Sequence, residues 1–197
     1  MLHTAIGPYD RFFPLLFFTW GILMQYSIKA ILILALWVVT QIGFAESDSL
    51  YSSRSLSLEL ASKAVDGAIK ACRKKGYSVA VAVVDRGGNV TALLRDRFAG
   101  PHTIETAIRK AWTANSFRQS TSVLAGLLKE GRIPDQVQHN PGALLVGGGL
   151  VITAQGETLG GIGVSGAPPG SSERDSIDGA CAEAGLEAIW EDLELAD

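Results

Sequence analysis

The chain has 197 residues, 47% of them hydrophobic and 19% charged, with a formal net charge of -3. That is the length and composition of one globular domain with an appendage. A slight acidic excess excludes the basic footprint that phosphate-backbone binding requires, so nucleic acid is not an expected partner.

The hydrophobic excess is concentrated at one end. Residues 1–45 carry only Asp10, Arg11 and Lys29 as charged side chains, whereas charged and apolar positions alternate from residue 46 onward. Residues 24–45 read MQYSIKAILILALWVVTQIGFA: a short polar start with Lys29, an apolar run from Ala30 to Val39, and Gly43-Phe44-Ala45 before Glu46. This is the layout of a secretory signal with small residues before the cleavage point. Met24 is a candidate start, and Ala45 the expected last residue removed. The apolar run is about half the roughly 20 residues of a spanning helix, which argues against a retained membrane anchor. The expected organisation is therefore a signal peptide over 1–45, a serine-rich tail over 46–56 and one domain over 57–197. The remainder holds 19 acidic and 15 basic residues, and its expected place is periplasmic or secreted.

Ser57 has the chemistry of an N-cap, and Leu58, Ala61, Val65, Ala68 and Cys72 recur at helical spacing until Gly76. The valine-dense run Ser78 to Asp85, the turn residues Arg86-Gly87-Gly88-Asn89 and VTALLRD predict a β-hairpin. Thr103 is the expected cap of a second helix with the apolar stripe Ile104, Ala107, Ile108, Ala111 and Trp112; Glu105, Arg109 and Lys110 fall off that stripe. A third helix is expected from Ser122 to Glu130, then a loop from Arg132 to Pro141. GALLVGG, LVITA and TLGGIGV read as three further strands with short connections, which favour antiparallel neighbours. A last helix is predicted from Asp175 to Leu195. The order gives an α+β domain: one five-stranded, mainly antiparallel sheet covered by helices, a profilin-like layering.

Gly161-Ile162-Gly163-Val164-Ser165-Gly166 matches the dinucleotide pattern G-x-G-x-x-G, but Ala167-Pro168-Pro169-Gly170 forbids the helix that must begin there. A strand on whose glycines another backbone or a flat ligand can lie is the better reading. Ser165 lacks the second glycine of a nucleophile elbow, because Ala167 stands in its place. Export permits Cys72 and Cys181 to pair, but their places on apolar helix faces favour two buried thiols. Metal-site spacing is missing.

The stretches AVAVVDRGGNVTALLRDRFAGPHTIETAIRKAWTA, GGGLVITAQGETLGGIGVSGAP and DGACAEAGLEAI, in that order, resemble the GlcG/HbpS-like family over most of residues 57–190. The segment from Ser171 to Ile177 departs from that pattern, as does Leu150 after the three glycines. The resemblance implies haem as cofactor, a corrinoid as the alternative, and assembly into homo-oligomers. It also implies a role in sequestering, sensing or slowly degrading haem; a non-catalytic binding module or an interaction subunit is the competing reading.

Haem iron is held by His, Cys, Met or Tyr. Removing residues 1–45 takes away both methionines and His3, leaving His102, His139, Tyr51 and Tyr77. Thr113 joins them because it lies in Lys110-Ala111-Trp112-Thr113-Ala114, which resembles a family stretch linked to haem. His102 and Thr113 are the expected residues near the iron. Arg95, Arg97 and Arg109, close to His102 in sequence, are the expected partners of the propionates. His139, in a proline-flanked loop, is expected at the surface without an apolar wall.

Overall fold

The structure is a computed structural model that describes residues 51–169 and 176–195. The expected signal peptide and residues 46–50 of the expected tail lie outside the described residues.

Helix α1, Leu58–Lys74, begins as the sequence indicates: the Ser57 hydroxyl accepts the Leu60 N–H at 3.3 Å. Its buried face is Ala61, Ala64, Val65, Ala68, Ile69 and Cys72. Leu56, in the expected tail, is buried in the core. Strands β1, Ala80–Asp85, and β2, Val90–Arg95, form the expected hairpin, its turn held by Asp85, whose carboxylate accepts the Asn89 N–H at 2.8 Å. Helix α2, Thr103–Phe117, and helix α3, Thr121–Lys129, follow; residues 135–139 add a short 3-10 turn inside the expected loop. Strands β3, Gly149–Ala154, and β4, Glu157–Ser165, complete an antiparallel sheet in the order β2-β1-β4-β3.

Among the described residues the sheet has four strands, not five. The missing one is GALLVGG. Part of its backbone is taken by side chains of α2: the Arg109 guanidinium donates to Ala143 O, and the Thr113 hydroxyl accepts from Leu144 N–H, while only Gly148 O, at its end, accepts from a strand, at Val164 N–H. Just past the run, the Thr121 hydroxyl accepts from the N–H of Gly149, the first residue of β3. Backbone groups engaged by side chains in this way are not available to a partner strand.

β1 is buried on both faces, which explains why it reads as an unbroken apolar run. Val79, Val81 and Val83 point into one core with α1 and the C-terminal helices, while Ala80 and Ala82 point to Ala107 of α2. The second interface is narrow because β4 presents glycine there. A Cβ on Gly163 would stand 2.1 Å from Ala107 O, and one on Gly161 2.4 Å from Ala111 O. The glycine pattern thus accommodates a helix backbone. For the same reason the buried stripe of α2 is Thr103, Ala107, Lys110, Ala111 and Ala114, rotated from the expected one, with Ile104, Ile108 and Trp112 only partly buried.

The expected last helix is two: α4, Ile177–Glu187, and α5, Trp190–Glu194. The break puts Ile189 and Leu193 in the core. Cys72 of α1 and Cys181 of α4 form a disulfide with a Cα–Cα distance of 5.5 Å, correcting the expectation of two free thiols. Both were rightly placed on buried faces. Those two faces pack on each other and bring the sulfurs together.

A cleft at the start of α2

Arg73 and Asp96 fix the approach to α2. The Arg73 Nε donates to Asp96 Oδ2 at 2.6 Å, and Arg97 N–H donates to Asp96 Oδ1 at 2.8 Å. The Arg73 hydrogen bond holds the Asp96 carboxyl below the ordinary aspartate range, against the opposing effect of burial, and Asp96 in turn raises the guanidinium. Arg95 closes the same loop by donating to Ala99 O.

The chain then enters the helix through Gly100-Pro101-His102. Gly100 leaves room for the imidazole, since a Cβ there would stand 2.8 Å from the His102 ring. His102, not Thr103, is the N-cap residue, and its side chain makes no capping bond. Thr103 is the first helical residue and donates its hydroxyl to Gly100 O at 2.6 Å. The exposed His102 ring is therefore not spent on holding the helix end.

His102 lines a cleft of about 580 Å³ with Thr106, Lys110, Lys129, Val146 and the 165–169 segment. Val146, Ala167, Pro168 and Pro169 give it apolar wall; Lys129 is an exposed cation at its edge. Its floor is an ion pair. Lys110 Nζ donates to Asp178 Oδ2 at 2.8 Å and to Val164 O at 3.0 Å, and both side chains are more than nine-tenths buried. Asp178 Oδ1 accepts the Ala167 N–H at 3.0 Å. One buried pair thus ties α2, β4, the turn after β4 and the start of α4. Gly148, at φ 122°, gives the pair room: a Cβ there would meet Lys110 Nζ at 3.0 Å and Asp178 Cβ at 2.8 Å.

The other expected site residues are elsewhere. Thr113 is fully buried; its hydroxyl donates to Arg109 O at 2.7 Å and accepts from Leu144 N–H at 2.8 Å. It lies three turns along α2 from His102, about 16 Å at the rise of an α-helix, so one iron cannot meet both within a chain. Arg109 is engaged with Ala143 O and Arg95 with Ala99 O, while the exposed Arg97 lies over the Phe98 ring at 5.4 Å. None of the three lines the cleft. His139 is exposed, but contrary to expectation it has apolar neighbours: it shares a shallow depression with Phe117, Pro134 and Val137. Tyr77 packs against the core and Tyr51 is exposed. Lys110 and Asp178 were passed over because each reads as the solvated position of a helix. The available signal was the spacing of Lys110 from Thr103 and Ala107, seven and three residues, which puts it on their face.

Among the described residues, no helix is long and apolar enough to cross a membrane. No group of three or more His, Cys, Asp or Glu that could hold a metal ion occurs among them either.

Residues 56–187 match the model of the family described as haem degrading protein HbpS-like. A solved structure of a double mutant of HbpS from Streptomyces reticuli is 40% identical with a TM-score of 0.65, over 75% of this chain and 95% of that one. A PduOC–haem complex is 27% identical with a TM-score of 0.61, over 68% of this chain and 95% of that one. An uncharacterized 15.0 kDa protein from the dhaT-dhaS intergenic region of Citrobacter freundii is 30% identical over 115 residues, 57% of this chain and 77% of its own length.

Proposed function

Because the chain belongs to the HbpS-like family, we propose that it binds haem, and that it does so in the cleft at the start of α2. The observation that carries this reading is His102: an exposed imidazole free of any capping duty, on the wall of a cleft with apolar surface and a cation at its edge. Neutral imidazole is a common axial ligand of haem iron. Val146, Ala167 and the two prolines would lie against the porphyrin, and Lys129 would face a propionate in place of the three arginines. Lys110 and Asp178 hold the walls in register without touching the iron. The haem complex of a relative supports the choice of ligand. Bound haem would supply an iron centre open to electron transfer and peroxide chemistry. Sequestration, sensing and slow degradation all begin with that binding step.

We further propose that the protein is exported and self-associates. The Cys72–Cys181 disulfide supports export, since such bonds persist in oxidising compartments. Val90 and Leu94 on the edge strand β2, with Phe98 just beyond, are exposed apolar side chains of the kind that a second copy covers. Adding haem to the purified protein tests the main reading: a saturable Soret band is expected. Unbound haem absorbance at every ratio would refute it.

A further inference from the structure

Along β4, Gly161, Gly163 and Ser165 alternate onto the face turned to α2. The helix backbone closes on the first two, at Ala111 O and Ala107 O, and only glycine fits there. One step further, where α2 begins, the strand end carries a side chain instead, and it lines the cleft with His102 and Thr106. Ser165 is only 5% exposed. Its hydroxyl nevertheless makes no hydrogen bond among the described residues, and unlike Asn115 Oδ1, which is sealed from solvent, it opens on the cleft. A serine hydroxyl readily bonds to backbone close by, so one left free in so buried a place needs a reason.

Gly147 supplies a second unused donor. It is buried, it lines the same cleft, and its N–H has no partner among the described residues. Nearby donors are engaged, Leu144 N–H by Thr113 and Gly149 N–H by Thr121. Buried backbone N–H groups are paired in the great majority of cases. The side-chain acceptors at hand are already spent: Asp178 Oδ1 on Ala167 N–H, Asp178 Oδ2 on Lys110 and Ser176 Oγ on Gly179 N–H. Lys129, at the edge, is in no ion pair among the described residues. The cleft thus offers two unused donors and a cation, and among the described residues no unspent carboxylate, on a chain whose net charge is -3.

We propose that this wall of the cleft is a carboxylate subsite: one carboxylate of the ligand accepts from the Ser165 hydroxyl and the Gly147 N–H, and Lys129 balances its charge. The apolar surface of Val146, Ala167 and the two prolines calls for an apolar body joined to that anion, which a porphyrin acid supplies and an inorganic ion does not. The proposal rests on the reading of this cleft as the haem site and adds what the cleft selects, a free propionate. Ser165, unfit as a nucleophile, is then a hydrogen-bond donor to the ligand.

Metal-free protoporphyrin IX and its dimethyl ester separate the carboxylate from the iron, because neither holds iron and they differ only at the propionates. Porphyrin emission during titration with the purified full chain should show the free acid bound at least about tenfold more tightly than the ester, a difference that one charge-assisted contact supplies. Ser165→Ala should weaken the free acid by about fivefold or more and bring the two ligands closer in affinity. The Ser165 hydroxyl holds nothing within the described protein, so this variant should keep the wild-type melting temperature, and its loss of binding is then not a loss of fold. Lys129→Gln should act in the same direction, with an effect that shrinks as salt is raised. Equal affinity for acid and ester, or unchanged affinity of Ser165→Ala for the acid, would overturn the proposal. Haem titration tells the two failures apart: a saturable Soret band beside equal porphyrin affinities refutes the carboxylate subsite alone, whereas no band and no porphyrin binding refutes the haem reading with it.

Discussion

Replacing Lys110 by methionine removes the cation from the floor of the cleft while nearly keeping the volume of its side chain. At 2.8 Å from Asp178, the pair's attraction is about 6 kcal/mol at an effective dielectric constant of about 20. Much of that offsets the cost of taking both charges out of water, so the pair's net contribution to stability is small. The single substitution is different, because it leaves the Asp178 carboxylate buried with, among the described residues, only the Ala167 N–H to satisfy it and strips Val164 O of its donor. Such a broken pair costs about 3–5 kcal/mol. Adding Asp178→Asn to Lys110→Met removes the stranded charge and keeps an acceptor for Ala167 N–H, so the double variant should recover at least about half of the loss. Urea unfolding followed by far-UV circular dichroism measures all four corners of the cycle. A loss under about 1 kcal/mol in Lys110→Met, or a double variant as unstable as the sum of the singles, would refute the reasoning.

The Cys72–Cys181 bond closes a loop over a sequence separation of 109, so Cys72→Ala with Cys181→Ala should destabilise the domain by about 4 kcal/mol, lowering its urea midpoint. An unchanged midpoint would mean that the bond does not constrain the chain. Gly163→Ala should cost about 3 kcal/mol in thermal unfolding, because its Cβ would stand 2.1 Å from Ala107 O and α2 must move off the sheet; a wild-type melting temperature would deny that close approach. The Asp96 carboxyl is depressed by the Arg73 hydrogen bond, so its stabilising effect is complete above the unfolded-state range and is lost as pH falls through its lower folded value. The gap in urea midpoint between wild type and Asp96→Asn should therefore be open at about pH 7 and narrow steadily as the pH falls below the ordinary aspartate range. A gap that persists in acid would assign the effect to packing.

The hairpin and α1 are legible because their signals are local: Ser57, the apolar spacing to Cys72, and the turn between two β-branched runs. GALLVGG is misleading for a reason no local pattern contains, since the donors and acceptors that replace its ladder come from Arg109, Thr113 and Thr121, far away in sequence. The stripe of α2 is rotated because the glycines of β4 admit backbone, so small residues make the closest approach to the sheet, and Ile104 and Ile108 pack beside them only partly buried. That rotation buries Lys110, which is only tenable with Asp178 opposite. The place of His102 at the start of α2 could be read from Gly100-Pro101 and the helix that follows, but the spread of Thr113, Arg95, Arg97 and Arg109 away from its cleft could not. Closeness in sequence along a helix and its preceding loop does not make them face one cleft.

The most direct test of haem binding at the start of α2 is the Soret spectrum of His102→Ala during haem titration. A saturable band is expected in the wild-type protein, unaltered in His139→Ala. In His102→Ala the expected result is affinity lower by roughly a hundredfold or a displaced Soret maximum, from the loss of an axial ligand. The same affinity and the same spectrum in His102→Ala as in wild type would contradict it and move the iron away from this cleft.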